Sequence, residues 1–195
     1  MNAKEIALCS VLTAIAIVLD RARIPAVFAQ VQFYFWEIPI VIAALLYGYK
    51  FGFSVAALSA LGQALVFPRV LGFLFPVWNL ITMSVALAGI YVAQRHITWK
   101  MSRNSQVKTC RIKPIVYFTA SVMAVRFIVM PFVNFFMYKY MMPLVVSTTY
   151  PDAIIIAMMP ALLVYDAILI LYSVPTGYKI AKMINKNLNI GNRIF

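Results

Sequence analysis

The chain has 195 residues, 64% of them hydrophobic and 11% charged, with a mean hydropathy of +0.90. That balance excludes an ordinary water-soluble domain and leaves room for one helical membrane bundle, a single domain over residues 1–195. The net charge of +12 comes from 17 Lys and Arg against 5 Asp and Glu, but the basic residues fall in breaks between apolar runs, where anionic lipid headgroups rather than nucleic acid would meet them.

Six apolar segments follow in chain order. The first is Ala3–Leu19; Lys4 precedes its apolar stretch Ile6–Leu19, but no small-x-small cleavage pattern follows, so it reads as a retained helix and not a signal peptide. It stops at Asp20, Arg21, Arg23 and Pro25. A mixed aromatic and glutamine-bearing linker, residues 24–36, leads to a second run, Glu37–Tyr49, which is short against the roughly 20 residues a spanning helix needs. Gly48 and Gly52 mark a tight turn. The third run, Phe53–Phe67, ends at Pro68-Arg69, and the fourth extends from Pro76 to Gln94. A basic loop at about 95–113 and a basic tail at about 176–195 read as soluble, flanking a fifth segment, Pro114–Tyr138, and a sixth, Pro151–Tyr172. The expected class is therefore all-α, an integral membrane bundle of six transmembrane helices. Continuous apolar runs exclude the alternation of a membrane β-barrel.

Charge orients this bundle. With six spans both termini share a side, which carries twelve basic residues (Lys4, Lys50, those of 95–113 and those of the tail) against four opposite, Arg21, Arg23, Arg69 and Lys139. The positive-inside rule then places both termini in the cytoplasm of a multi-pass cell-membrane protein.

The polar residues within apolar segments are the candidates for a task. Arg126 is central in the fifth segment, where a guanidinium must snorkel, find an acceptor or line a wet cavity. Ligand recognition, an ion pair with Asp166 and snorkelling all stand as readings. Asp166 is the sole acid in the interior of the sixth segment, Asp152 standing at its start. Asn134 binds a ligand or cross-links helices. Asn79 is a ligand contact or a cap beside Pro76. Gln30, Gln32, Phe35, Trp36 and Glu37 form either a lid over a planar ligand or an interfacial aromatic belt; Glu37 also suits a helix N-terminus. Tyr165 shapes a cavity or packs. On the first helix, Ser10 and Ala14, like Ala3 and Ala7, are small residues four apart, a spacing that admits a close partner helix.

Enzyme signatures are lacking: no GxxxxGK[ST], HExxH or GxSxG pattern occurs. His96 is the single histidine and lies in the basic loop, and Cys9 and Cys110 define neither a disulfide framework nor a metal site. No cofactor or metal is expected, and ATP-driven work would need nucleotide held by another chain.

Residues 33–53, FYFWEIPIVIAALLYGYKFGF, with Glu37, Pro39, Gly48 and Gly52, resemble the substrate-binding S components of energy-coupling factor (ECF) transporters. Residues 127–143, FIVMPFVNFFMYKYMMP, are similar to the riboflavin-type branch at Asn134, Phe135 and Pro143; that branch's later polar positions are here Leu162 and Tyr165 after Pro160. The resemblance implies a six-helix fold with a pocket near the outer face, closed by the linker between helices one and two. It implies a vitamin-like solute, riboflavin or a similar planar molecule. It also implies a transmembrane coupling subunit docked through Ser10 and Ala14, and two ATPase subunits. A membrane scaffold without a small ligand and an autonomous secondary transporter are the competing classes.

Overall fold

A computed structural model describes residues 3–25, 32–66, 74–103, 114–146 and 149–188. Helix α1, Ala3–Leu19, leads into an antiparallel hairpin of β1, Arg23–Pro25, and β2, Gln32–Tyr34, with Ile24 opposite Phe33. There follow α2 (Glu37–Tyr47), α3 (Tyr49–Val66), α4 (Leu74–Arg103), α5 (Pro114–Phe136), a π-helical turn (Met137–Met141), α6 (Met142–Val146) and α7 (Asp152–Leu188).

Helix α2 is the axis of the bundle. Eleven residues span about 16 Å, too little to cross the ~30 Å hydrocarbon layer. Nine of the eleven are nevertheless buried, Glu37 and Pro39–Leu46. A helix apolar on every side belongs inside a packed bundle, and α1, α3, α4 and α7 surround it. Gly48, with φ of 93°, ends it in a conformation that other residues adopt only with strain. The chain turns there into α3, and a Cβ at Gly52 would lie 2.6 Å from Ala44 Cβ. Gly48 and Gly52 thus do different things: one makes the corner, the other lets the two helices close on each other.

Among the described residues, three helices are long and apolar enough to cross a membrane: Leu74–Trp99 (mean hydropathy 1.6), Pro114–Leu144 (1.8) and Asp152–Asn187 (2.5). Glu5–Leu19 and Glu37–Tyr47 are shorter apolar helices. Helix α4 pairs closely with α5, where a Cβ at Gly89 would stand 2.6 Å from Val122 Cα and Ser121 Oγ donates to Gly89 O at 2.9 Å.

Several boundaries differ from the sequence expectation: α3 begins at Tyr49, so Gly52 lies inside a helix and not in the turn, and two helices run on past their apolar segments. Helix α4 continues to Arg103, through the first part of the basic 95–113 stretch, and α7 continues to Leu188, well into the basic tail. In both cases one helical stripe stays apolar after overall hydropathy falls. Ile90, Ala93 and Ile97, and likewise Tyr178, Ala181 and Ile184, pack on the same core. The period of 3.6 sustains the helix while the charges take the other face.

Helix α5 does not end where its apolar run does. Met142 N–H donates to Met137 O, five residues back. The next residue is Pro143, which has no N–H and whose ring in a regular turn would press on the Lys139 carbonyl. Widening the preceding turn into a π-helix relieves that conflict, and such turns recur at functional sites.

Candidate functional site

A cavity of about 280 Å³ opens where α2, α4, the end of α5 and α7 meet beneath the hairpin. This is at the small end of the range for small-molecule pockets, ~300–1,000 Å³. Its faces are aromatic: Tyr34, Trp36, Phe75, Trp78, Tyr138 and Tyr165. The polar part of the wall is built from Glu37, Asn79, Thr82, Asn134 and Asp166, and Met130, Met142, Leu162 and Leu169 fill the rest.

Local structure explains how each side chain arrives there. Glu37 occupies the first turn of α2, next to Trp36, where the helix dipole favours an acid. Met130, Asn134 and Tyr138 succeed one another at four-residue intervals, one face of α5 running on through the π-helical turn. Leu162, Tyr165, Asp166 and Leu169 repeat the same logic on α7. Trp78 and Tyr138 meet edge to face with ring centroids 5.3 Å apart, joining α4 to the π-helical turn.

Arg126 is fully buried and ties three helices together. Its Nη2 donates to Glu37 Oε1 at 2.9 Å and approaches Met83 Sδ at 3.7 Å, while Nη1 lies 3.5 Å from Asp166 Oδ1. Of the alternatives read from sequence, snorkelling is ruled out by 0% exposure. The pair with Asp166 exists, and Glu37 is an additional and closer partner. Arg126 contributes no surface to the cavity wall; the two carboxylates stand between it and the cavity.

Among the described residues, Asp166 Oδ2 and Asn134 Oδ1 are buried without a hydrogen-bond partner. Buried polar atoms are ordinarily satisfied, so each such case asks for an explanation. Asn79 is not a simple cap: its Nδ2 donates to Gln63 Oε1 at 3.0 Å, bridging α3 and α4.

Seven of the sequence candidates converge here: Trp36, Glu37, Asn79, Asn134, Tyr165 and Asp166 on the wall, and Arg126 directly behind it. Phe35 is off the wall and packs on Tyr172, ring centroids 5.7 Å apart. Gln30 lies outside the described residues, as does the side chain of Gln32. Ser10 and Ala14 are exposed on α1, away from the cavity, and Ser10 Oγ donates within its own helix to Ile6 O.

Several contributors are not evident from sequence. Gln63 carried the same signal as Asn134, an amide in an apolar helix. Trp78 and Tyr138 read as ordinary membrane aromatics, and Tyr172 is the last residue of the segment that holds Asp166, nearly two turns further along. Tyr172 Oη donates to Tyr34 O at 2.6 Å, fastening the hairpin to α7.

Among the described residues, no group of His, Cys, Asp or Glu is arranged to hold a metal ion. The wall has carboxylates and amides but no nucleophile–base pair, which suits binding rather than bond making.

The chain is similar, over 95% of its length and 97% of the other's, to a solved S component of a bacterial ECF transporter, with 20% identity and a TM-score of 0.65; this likeness establishes the fold. No curated protein matches it significantly. The model for the ECF transporter substrate-specific component matches residues 4–190. An all-α, multi-pass membrane fold of this kind is a transport subunit and not an enzyme, and the chain belongs to the family of ECF transporter substrate-specific components.

Proposed function

We propose that the chain captures a small planar solute with a polar edge and carries it unchanged through the uptake cycle of an ATP-driven transporter. The observation that carries this reading is the cavity itself, lined both by the aromatic side chains Trp36, Trp78 and Tyr165 and by the polar Glu37, Asn79, Asn134 and Asp166. Large apolar faces with a few placed polar groups are the usual anatomy of a small-molecule site. A scaffold without a ligand predicts the same helices packed shut, whereas about 280 Å³ is open.

In this reading a transmembrane coupling subunit and two ATPases supply the energy, since the chain has no nucleotide-binding motif. Exposed Ser10 and Ala14 on α1 are the surface offered to the coupling subunit. Both termini lie in the cytoplasm, so a reporter active only in the cytoplasm should work at either end; activity at one end alone would reject that orientation. Riboflavin is the first solute to titrate, because residues 127–143 resemble the riboflavin-type branch.

The test is the absorbance of the detergent-purified protein followed by calorimetric titration with riboflavin and other planar vitamins. Saturable binding at one per chain is expected, weakened about fivefold by Asn134→Ala, the worth of one ordinary hydrogen bond. Folded yield should be unchanged. An equal loss of yield and binding would make Asn134 a structural residue, and no binding by any planar solute would overturn the reading.

A further inference from the structure

Resting on the reading just given, we propose that the cavity selects a planar cation whose charge sits on an N–H-bearing edge, of amidinium type, over a neutral or anionic solute.

Charge balance is the first support. Glu37, Arg126 and Asp166 form a closed cluster of two carboxylates and one guanidinium, formally −1. Both carboxylates line the cavity, and the guanidinium does not. Lys139, the other cation on this end of α5, is engaged with Asp152 at 2.8 Å. Among the described residues, one buried negative charge is thus left over in this cluster, a costly state that a ligand's positive charge relieves.

Hydrogen-bond polarity is the second support, and it is independent of charge counting. Asp166 and Asn134 are each only 4% exposed, and both are wall residues. Asp166 Oδ2 and Asn134 Oδ1 have no hydrogen-bond partner among the described residues. Both atoms are acceptors, so what is missing is a donor. An amidinium or protonated amino-heterocycle presents two N–H groups in one plane and matches two such acceptors. Arg126 Nε and Nη1 also lack hydrogen-bond partners, yet they sit behind the carboxylates, which would repel an anion before it reached them.

The aromatic faces are the third. Trp36 and Trp78 flank the space, and indole is the strongest of the side-chain partners for a cation above its ring.

An isosteric series isolates the charge. Benzamidinium, benzamide and benzoate share one ring and differ by a unit of charge at each step. They are titrated calorimetrically into the full-length detergent-purified protein at neutral pH and fixed salt. Benzamidinium should saturate at one per chain and bind at least about tenfold tighter than benzamide, with benzoate not binding. Asp166→Asn leaves a formally neutral cluster. It should reduce the preference of benzamidinium over benzamide to about twofold or less while benzamide binding persists. Glu37→Gln serves as the second variant should Asp166→Asn lose folded yield.

Equal or tighter binding of benzamide or benzoate overturns the proposal, as does a cation preference that survives in both variants. Riboflavin binding without any amidinium preference overturns it too, but leaves the solute-binding reading standing. Failure of every probe, riboflavin included, removes both.

Discussion

Two ion pairs join the last two long helices, and they have little in common beyond charge. Lys139 Nζ meets Asp152 Oδ2 at 2.8 Å, with side chains 33% and 54% exposed. Arg126 meets Asp166 at 3.5 Å and Glu37 at 2.9 Å, with side chains no more than 5% exposed. Distance alone would rank the outer pair at least level with the inner cluster. Burial reverses the order. An exposed pair exchanges water for a partner of similar quality and is screened. A buried charge has no water to return to, so losing its partner is costly even where the intact cluster adds little net stability. The outer pair also has alternatives, since Lys139 lies over the rings of Phe135 and Tyr140.

That contrast can be broken by substitution. Arg126→Met should have the largest effect, destabilising the fold by about 3–5 kcal/mol because Glu37 and Asp166 remain buried and uncompensated. The loss is read as the melting temperature and the monodisperse yield in detergent. Removing the charges together, Glu37→Gln with Arg126→Met and Asp166→Asn, should recover much of that stability and none of the ligand binding. A triple variant as unstable as the single one would mean that the cluster is retained for folding.

Gly89→Ala tests packing away from the cavity. Its Cβ would collide with the Val122 backbone, and overpacking of this kind costs about 1–3 kcal/mol. Stability should fall while ligand affinity in the folded fraction is kept; a parallel loss of affinity would show that the α4–α5 contact shapes the site.

Tyr172→Phe removes the hydrogen bond from Tyr172 Oη to Tyr34 O in the hairpin. Ligand dissociation, followed by stopped-flow fluorescence, should accelerate about fivefold, in line with one hydrogen bond of ~1 kcal/mol. An unchanged rate would show that the hairpin is not the exit barrier. Lys139→Met should matter least, leaving melting temperature and affinity within error of the parent. A clear drop in either would undo the contrast between the two pairs.

Much of the fold is legible in the sequence because hydropathy is local. Helix α1 occupies the apolar run Ala3–Leu19, and α5 starts at Pro114 as read from composition. Helices α4 and α7 run past their apolar windows because an averaged hydropathy ignores a single face. Ile97 and Ile184 carry that face onward among charges. The π-helical turn was beyond such reading: Pro143 announces a disturbance, but a kink, a break or a widened turn would equally accommodate it.

The cavity was legible in kind and not in arrangement. Arg126, Asn134 and Asp166 were conspicuous as polar groups in apolar helices, which is a statement about cost that needs no coordinates. The nearest partner of Arg126 is Glu37, 89 residues away, on the short central helix α2. Phe35 and Trp36 are neighbours in sequence, yet only Trp36 joins the wall.

What the sequence by itself determined is the environment and the class: a helical membrane bundle with a few charges that had to be answered inside it. Composition suffices for that, because the free energy of placing a side chain in hydrocarbon depends on the side chain and its depth. Which charge answers which was decided by tertiary structure alone. Helix α2 is too short to span and is stable only at the centre of its neighbours, and that central seat is what brings Glu37 against Arg126 and both carboxylates onto one wall.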